Sequence, residues 1–349
     1  AEWHNGGSMP PSPPPPDRSR REFVAASLVA AGAAVVRGAE ARGAAPADAT
    51  KGTPNPAAGD GGALRSAPPS SPRRTPIGVS TYSFWHFRGD PPPLPALIDT
   101  AAAMGFDGVE ILHRMMPTEE NAYLQELKHR AFVNGVALMG FSIHQGFVSP
   151  DPDVRQRNVE HTLRCIELAY RMGIPTLRLN TGRWGTIASF DDLMANRGIE
   201  PALEGHTEDE AFAWCIDAIG KLLPKAAECG VCMGLENHWG LGRTAAGVLR
   251  IIEAVRSPWL RATLDTGNFL EDMYPQMERM APETVLVQAK TYYGGGEWYD
   301  LDIDYARVAS ILRAVDYRGW ISLEYEGKGD PAAEVPRSLA MLRSTFDGA

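Results

Sequence analysis

The chain has 349 residues, with 34 basic and 43 acidic side chains and a formal net charge of −9 at pH 7. Duplex nucleic acid is bound by clustered basic side chains that displace counterions, and no run of Lys or Arg occurs after residue 75. We therefore expect no nucleic-acid partner. No stretch carries about 18 consecutive apolar residues, so we also expect no membrane span.

The first quarter of the chain has the composition of segments that form no core. Residues 1–8 resemble a tag remnant, and the proline-rich residues 10–16 favour an extended conformation. Residues 38–75 are rich in Ala, Gly, Pro and Ser, which is typical of a disordered linker. We therefore expect residues 1–75 to lie outside a single folded domain that spans residues 76–349.

An export signal is predicted inside this N-terminal segment. The paired Arg20 and Arg21 are followed by Phe23 and by the apolar run 24–36, as in twin-arginine signals. The alternative is a short amphipathic or disordered tail. A twin-arginine signal predicts a periplasmic protein that is exported after it has folded.

From residue 76 onward, short apolar runs alternate with segments of helical periodicity. This alternation predicts parallel strands covered by helices. The predicted strands are Ile77–Tyr82, Gly108–Leu112, Ala137–Ile143, Thr176–Asn180, Cys232–Glu236, Ala262–Asp265, Thr284–Ala289 and Ile321–Tyr325. The predicted helices lie near 94–104, 118–134, 153–172, 207–229, 243–255, 271–280, 304–315 and 333–345. Eight of each predict an α/β fold, the (β/α)₈ TIM barrel, rather than an open sheet, because no GxGxxG turn follows the first strand.

Several residues mark the ends of these helices and the loops between them. Thr118 and Thr207 each precede acidic residues and are predicted N-caps. Left-handed C-terminal caps are predicted at Gly105, Gly135, Gly173 and Gly230. The long loops 183–206 and 291–303 follow the fourth and seventh strands, so they are expected over the active-site face of the barrel.

The chain has four cysteines, at positions 165, 215, 229 and 232. Cys229 and Cys232 have the spacing of a redox or zinc motif, but no second pair accompanies them. We expect a structural role for these side chains, with an oxidised Cys229–Cys232 pair as the alternative.

Oxygen-bearing side chains end the last four predicted strands. They are Glu236, Asp265, Gln288 and Glu324. Carboxylates that converge inside a barrel need a neutralising cation, and an all-oxygen set favours Mn²⁺ or Mg²⁺ over zinc. The sequence therefore predicts one divalent metal ion bound by these four residues. The alternative is an ion-pair network that closes the barrel mouth.

Four motifs carry a family resemblance across residues 76–345. They are LENH at Leu235–His238, LDTGN at Leu264–Asn268, QAK at Gln288–Lys290 and LEYEG at Leu323–Gly327. Together they resemble the sugar phosphate isomerase/epimerase branch of the xylose isomerase-like barrel superfamily.

The resemblance implies roles for individual residues. It implies that Glu236 and Glu324 are both metal ligands and acid–base residues, and that Asp265 is a third ligand. The family's epimerases usually place histidine where this chain has Gln288. Glutamine at that position resembles the dehydratase members of the family.

Other polar side chains are predicted to complete the site. Lys290 lies two residues past Gln288, on the same strand face, where its charge can stabilise an enolate; the alternative is a salt bridge to a neighbouring acid. Arg178 has a similar alternative, a pairing with Glu236. The predicted substrate contacts are Trp85, His86, His144, Arg178, Asn180, His238, Asn268 and Glu326.

These residue types predict proton transfer next to the carbonyl of a small carbohydrate. A divalent ion polarises the carbonyl, one carboxylate removes a proton and a second returns it, which gives an isomer or an epimer. Elimination from a 3-keto sugar, glycoside or cyclitol by a lyase or dehydratase is the alternative reaction. A carbohydrate-binding barrel without activity and the endonuclease branch of the superfamily are further alternatives. Export favours a non-phosphorylated substrate, and a homo-oligomer is left open.

Overall fold

Eight parallel strands form a closed barrel in the computed structural model, which describes residues 74–347. The strands are β1 Ile77–Ser80, β2 Gly108–Leu112, β3 Ala137–Ser142, β4 Thr176–Leu179, β5 Cys232–Glu236, β6 Leu260–Asp265, β7 Thr284–Thr291 and β8 Trp320–Tyr325. Each pairs with its neighbours in the chain, and β1 closes the barrel against β8. The predicted TIM barrel is therefore confirmed. The predicted tag remnant, export signal and most of the linker lie outside the described residues.

Helices follow the strands and cover the outside of the barrel. They are α1 Leu94–Met104, α2 Asn121–Val133, α3 Pro152–Met172, α4 Phe190–Ala195, α5 Glu208–Cys229, α6 Ala245–Val255, α7 Met273–Met280, α8 Tyr305–Ala314 and α9 Pro331–Phe346. The short α4 was not predicted and lies inside the long loop after β4, where Ser189 caps its first turn. Within residues 74–347, none of the helices has the length and apolar character needed to cross a bilayer.

The predicted glycine caps and one of the two predicted N-caps are present. Thr207 forms a reciprocal capping box with Glu210. All four predicted glycines adopt the left-handed conformation after their helices, and they are Gly105, Gly135, Gly173 and Gly230. The predicted cap at Thr118 is wrong. Its hydroxyl accepts a hydrogen bond from the backbone N–H of Glu120 over 3.2 Å, which forms a local turn, and α2 begins only after Glu120.

Strand β1 ends two residues earlier than predicted, and a 3₁₀ turn spans Thr81–Phe84. Side-chain hydroxyls of this turn accept hydrogen bonds from backbone N–H groups at the ends of the neighbouring strands β2 and β8. The hydroxyl of Thr81 accepts from the N–H of Leu112 over 2.9 Å, and that of Ser83 accepts from the N–H of Tyr325 over 3.0 Å. The chain therefore leaves the strand conformation after Ser80, while the backbone N–H groups of Leu112 and Tyr325 stay hydrogen-bonded.

The cysteines do not form the predicted alternative pair. All four are free thiols, and Cys165 and Cys215 are buried in the helix layer. This arrangement agrees with the structural role expected for them.

Removing the α5 capping box tests how much of the barrel's stability rests on a helix end. Thr207→Ala removes the acceptor for the N–H of Glu210 and is expected to lower the free energy of unfolding by about 1 kcal/mol. Urea denaturation measures this change. Thr100→Ala on α1 is the matched control, because the Thr100 hydroxyl bonds only a carbonyl of its own helix. Equal destabilisation by both variants would contradict the capping role.

Candidate active site

Charged side chains are buried together at the carboxyl end of the barrel. Each is at most 9% exposed, and they are Arg178, Glu236, Asp265, Lys290, Glu324 and Glu326. They come from the ends of β4 to β8, where the side chains of successive strands point to one centre. Burying so many charges is costly unless they compensate one another, which marks this end of the barrel as the functional face.

Lys290 provides the positive charge among the acids of β6 and β8. Its Nζ donates to Oδ1 of Asn268 over 3.0 Å and to Oε1 of Glu326 over 3.4 Å. The same Nζ lies 3.5 Å from Oδ2 of Asp265 and 3.9 Å from Oε2 of Glu324. Burial alone would lower the pKa of Lys290, but the surrounding carboxylates hold it well above its usual value. Lys290 therefore stays protonated.

Glu236 stands on β5 with a cation of its own. Nη2 of Arg178 lies 2.9 Å from Oε2 of Glu236, as an ion pair that lacks hydrogen-bond geometry. Burial raises the pKa of Glu236 to about 7, with Glu324 adding to this effect and Arg178 opposing it. A carboxyl group with such a pKa changes protonation state close to neutral pH, which suits acid–base chemistry.

Asn237 fixes the neighbouring strand ends so that these side chains keep their positions. Its amide nitrogen donates to the carbonyl of Asp265 over 2.8 Å, and its Oδ1 accepts from the N–H of Asp265 over 2.7 Å. The carboxylate of Asp265 is held in turn, because its Oδ1 accepts from the N–H of Gly267 over 2.7 Å. Only Oδ2 of Asp265 is left to face the barrel axis.

Three oxygens of the predicted metal ligands are buried and accept no hydrogen bond of good geometry within the described part of the chain. They are Oε2 of Glu236, Oδ2 of Asp265 and Oε1 of Gln288. They belong to the neighbouring strands β5, β6 and β7, and Asp265 pairs with Gln288 in the strand register. Oε2 of Glu236 and Oδ2 of Asp265 each face the cation of an ion pair, Arg178 and Lys290, and Oε1 of Gln288 has no partner. Two buried carboxylate oxygens and an amide oxygen are ligands that Mn²⁺ or Mg²⁺ accepts, so this donor set fits a hard divalent cation that would compete with those side chains. Glu324, the fourth predicted ligand, lies beside Lys290.

The predicted substrate residues fall into two groups. His144 and His238 lie half-buried near the mouth, where burial holds the pKa of each well below its usual value, so both are neutral. Other predicted contacts bond the backbone: Nε2 of His86 lies 2.8 Å from the carbonyl of Tyr325, and Oδ1 of Asn180 accepts from the N–H of Gly182 over 3.2 Å. Trp85 likewise donates to the carbonyl of Gly89 over 3.0 Å.

The loop after β7 covers the charged cluster with aromatic side chains that the sequence analysis did not identify. The hydroxyl of Tyr299 donates to Oδ1 of Asn268 over 3.1 Å, and its ring lies 6.0 Å from Nζ of Lys290. The indole of Trp298 donates to the hydroxyl of Tyr82 over 3.4 Å. Aromatic residues in the loop 291–303 are the sequence signal for this cover, but its contacts depend on how the loop folds.

The sequence analysis also missed Glu110, which is completely buried inside the barrel on β2. Its Oε1 accepts a hydrogen bond from Nε2 of Gln288 over 3.1 Å, and the hydroxyls of Ser142 and Ser322 also donate to its carboxylate. An acid in the middle of the apolar strand sequence GVEIL was the available signal.

The overall structure resembles solved sugar epimerases. A 3-keto-D-glucoside 4-epimerase from E. coli has a TM-score of 0.63 and 18% identity, and the match covers 78% of this chain and 100% of the epimerase chain. A D-psicose 3-epimerase from Clostridium cellulolyticum H10, in complex with D-tagatose, has a TM-score of 0.61 and 17% identity, over 78% and 99% of the two chains. An L-ribulose 3-epimerase has a TM-score of 0.63 and 19% identity, over 78% and 95%. At these identities the likeness establishes the fold.

Sequence comparison adds the family. No curated protein matches the chain. The family model described as xylose isomerase-like TIM barrel matches residues 98–345, which include every strand end of the charged cluster. The chain therefore belongs to the xylose isomerase-like TIM barrel family.

Proposed function

We propose that this chain is a sugar isomerase or epimerase that uses one divalent metal ion, Mn²⁺ or Mg²⁺. The substrate is a non-phosphorylated sugar or keto-sugar, and the reaction moves a proton on the carbon next to its carbonyl. The observation that carries the proposal is the set of three buried oxygens that accept no hydrogen bond of good geometry, from Glu236, Asp265 and Gln288, together with the pKa of Glu236, which is raised to about 7. The three similar structures described above are named as sugar epimerases, which supports the same chemistry.

The proposed metal ligands are Glu236, Asp265, Gln288 and Glu324. When bound, the ion polarises the substrate carbonyl and so acidifies the neighbouring C–H group. Glu236 and Glu324 stand on β5 and β8, different walls of the barrel mouth, so one can remove the proton and the other can return it. The ammonium group of Lys290 stabilises the negative charge that develops on the substrate oxygen.

The proposed substrate is neutral because the buried cations already have partners. Arg178 is paired with Glu236, and Lys290 is surrounded by carboxylates. A phosphate group would have to compete with these acids for positive charge. Hydroxyl groups need only hydrogen-bond partners, which the amide of Asn268 and the neutral His238 supply. We place the reaction in the periplasm, on the basis of the signal predicted before residue 37.

Elimination is the second candidate reaction, and Glu326 favours it. This third buried acid accepts hydrogen bonds from Lys290 and Tyr82, and burial raises its pKa. A raised pKa makes the protonated form of this carboxyl group easier to reach, and that form can protonate a leaving group. The same site would then act as a lyase or dehydratase.

Proton exchange with solvent tests the proposed function directly. The Mn²⁺-loaded protein is incubated with keto-sugars and 3-keto-glycosides in deuterated water, and NMR follows the C–H groups next to the carbonyl. Deuterium incorporation without loss of a leaving group supports isomerisation or epimerisation, whereas release of water or an aglycone supports elimination. Sugar binding without any exchange would leave only the carbohydrate-binding alternative.

Variants of the two acids show whether the exchange takes place in the barrel mouth. Glu236→Gln and Glu324→Gln each keep the side-chain shape but remove the proton acceptor, so each is expected to slow exchange at least about 100-fold. Glu253→Gln on the exposed side of α6 is the matched control and should exchange at the wild-type rate. Exchange that survives both active-site substitutions would place the reaction elsewhere.

The pH dependence of metal affinity follows from the raised pKa of Glu236. Below about pH 7 the metal-free carboxyl group is mostly protonated, and a bound ion has to displace that proton. We therefore expect Mn²⁺ affinity to fall as the pH is lowered from 7 to 6. Calorimetry in buffers of different ionisation enthalpy measures both the affinity and the released proton. Affinity that is constant over this interval would contradict the assignment of Glu236 as a ligand.

A further inference from the structure

A second group of side chains that can bind a metal ion lies between the β2–α2 connection and α3, on residues other than those of the charged cluster. Among residues 74–347, His113, His161 and Cys165 are the group whose ligand atoms all lie within 4.8 Å of one another. His113 comes from the short turn after β2, and the other two are four residues apart on α3, which places them on one face of that helix. Two separate chain segments therefore meet at this point.

The distances in this cluster are close to those of a tetrahedral metal site. Sγ of Cys165 lies 3.7 Å from Nε2 and 3.9 Å from Nδ1 of His161. Bond lengths of zinc to sulfur and nitrogen place two such ligand atoms roughly 3.4–3.6 Å apart. The ligand atoms of His161 and Cys165 are therefore close to the spacing that one ion requires, and the ligand atom of His113 lies within 4.8 Å of both.

A hydrogen bond to Glu119 determines which ring nitrogen of His113 is free to bind a metal ion. Its Oε1 lies 2.9 Å from Nε2 of His113, and because a carboxylate only accepts hydrogen bonds, Nε2 carries the proton. Nδ1 of His113 then keeps its lone pair for a metal ion. A carboxylate behind a ligating histidine in this way is the usual support of zinc-bound imidazole.

The remaining neighbours permit a metal ion to enter. Burial lowers the pKa of His161 to about 4, so its ring is neutral at physiological pH. Arg164 now donates to Nδ1 of His161 over 3.2 Å and pairs with Oε2 of Glu119 over 3.1 Å. Its side chain is 54% exposed, and it has to release Nδ1 before an ion can bind to that atom. The thiol of Cys165 is buried and loses its proton when a metal ion binds.

We propose that His113, His161 and Cys165 form a second metal site, which binds a zinc-like divalent ion and ties α3 to the connection between β2 and α2. Two nitrogens and one sulfur suit Zn²⁺ rather than the hard ions that fit the barrel mouth. A water molecule completes the tetrahedron. This site is independent of the proposed function.

Cobalt distinguishes this site from the barrel mouth, because only a thiolate ligand gives an intense sulfur-to-cobalt charge-transfer absorption. The metal-free full-length protein is titrated with Co²⁺, and the band is expected in the wild type and lost in Cys165→Ala. Cys215→Ala is the matched control, because that thiol is equally buried on α5 and faces the carbonyl of Thr181. It should keep the band.

The remaining outcomes also decide the question. His113→Asn leaves the helix packing of Cys165 intact and is expected to weaken Co²⁺ binding at least about tenfold, even if Cys165→Ala fails to fold. A wild-type protein without the charge-transfer band overturns the proposal. So does a band that survives Cys165→Ala, since the thiolate would then be another cysteine.

A different observation supports a role for the buried Glu110. Its carboxylate accepts from the amide nitrogen of Gln288 and from the hydroxyls of Ser142 and Ser322. Gly140 on β3 leaves the space that Glu110 needs, because a Cβ at that position would lie 3.0 Å from Cγ of Glu110. Burial raises the pKa of Glu110, and the hydroxyls of Ser142 and Ser322 oppose this effect by donating to the ionised form. With all three groups donating to the carboxylate, the NH₂ group of Gln288 faces Glu110, and its carbonyl oxygen is left for the site.

We infer that Glu110 is a positioning residue that orients the amide of Gln288 so that its oxygen, rather than its nitrogen, faces the metal ion. This inference rests on the proposed function. Without Glu110, either end of the amide can turn toward the ion, and the NH₂ end cannot bind it. Supporting residues of this kind typically change metal affinity by about 10–100-fold.

Exchanging the side chains of Glu110 and Gln288 tests whether Glu110 sets the orientation of the Gln288 amide. Glu110→Gln is expected to weaken Mn²⁺ binding at least about tenfold, measured by calorimetry, because an amide in place of this carboxylate no longer dictates the orientation of Gln288. The double variant Glu110→Gln/Gln288→Glu pairs an amide donor with a carboxylate again and is expected to recover most of the affinity. Wild-type affinity in Glu110→Gln, or no recovery in the double variant, overturns the inference.

The same titration separates this inference from the proposed function. A wild-type protein that binds no Mn²⁺ overturns both together. Tight binding by the wild type combined with unchanged binding by Glu110→Gln overturns the role of Glu110 alone. Circular dichroism on each variant confirms that the barrel is folded.

Discussion

Compensation of buried charge at one end of the barrel is the constraint on which the rest of the site depends. An unpaired ion in this environment would cost several kcal/mol, so each acid needs a cation or a hydrogen-bond donor. Register brings the partners together: Lys290 lies opposite Glu324 on β8, and its ammonium group also reaches Asp265 of β6. The hydrogen bonds that hold the sheet together therefore also fix which charges meet.

The sequence predicted the barrel because the relevant signals are local. Apolar runs of strand length, helical periodicity and helix-ending glycines each occupy a few neighbouring residues, and all strand bounds fall within two residues of those predicted. The charged strand ends were identifiable for the same reason. A polar residue directly after an apolar strand has a defined place once the fold is a parallel barrel, as for Glu236 and Asp265.

Features that depend on distant parts of the chain were not predictable in this way. Glu110 was overlooked because its partner Ser322 is 212 residues away in sequence, and only barrel closure brings them together. The position of Trp298 and Tyr299 over the charged cluster depends on the conformation of a long loop, which the periodicity of the sequence does not predict. The cluster of His113, His161 and Cys165 requires the packing of α3 against the end of β2, again a tertiary contact.

The two walls of the mouth hold their acids in different electrostatic settings. On β5, Glu236 has one partner cation, Arg178, and a pKa near neutrality, so it can both give and take a proton. On β7 and β8, one ammonium group, Lys290, contacts Glu324 and Glu326 together. A substrate between the walls would meet a proton-exchanging acid on one side and a shared positive charge on the other. In the proposed reactions, inversion at carbon would require an acid on one wall to remove the proton and an acid on the other wall to return it, whereas elimination would require a proton donor beside the leaving group. In the proposed function, the choice between them would therefore rest on how a sugar is oriented between Glu236 and Glu326, where the ring of Tyr299 lies 6.0 Å from Nζ of Lys290.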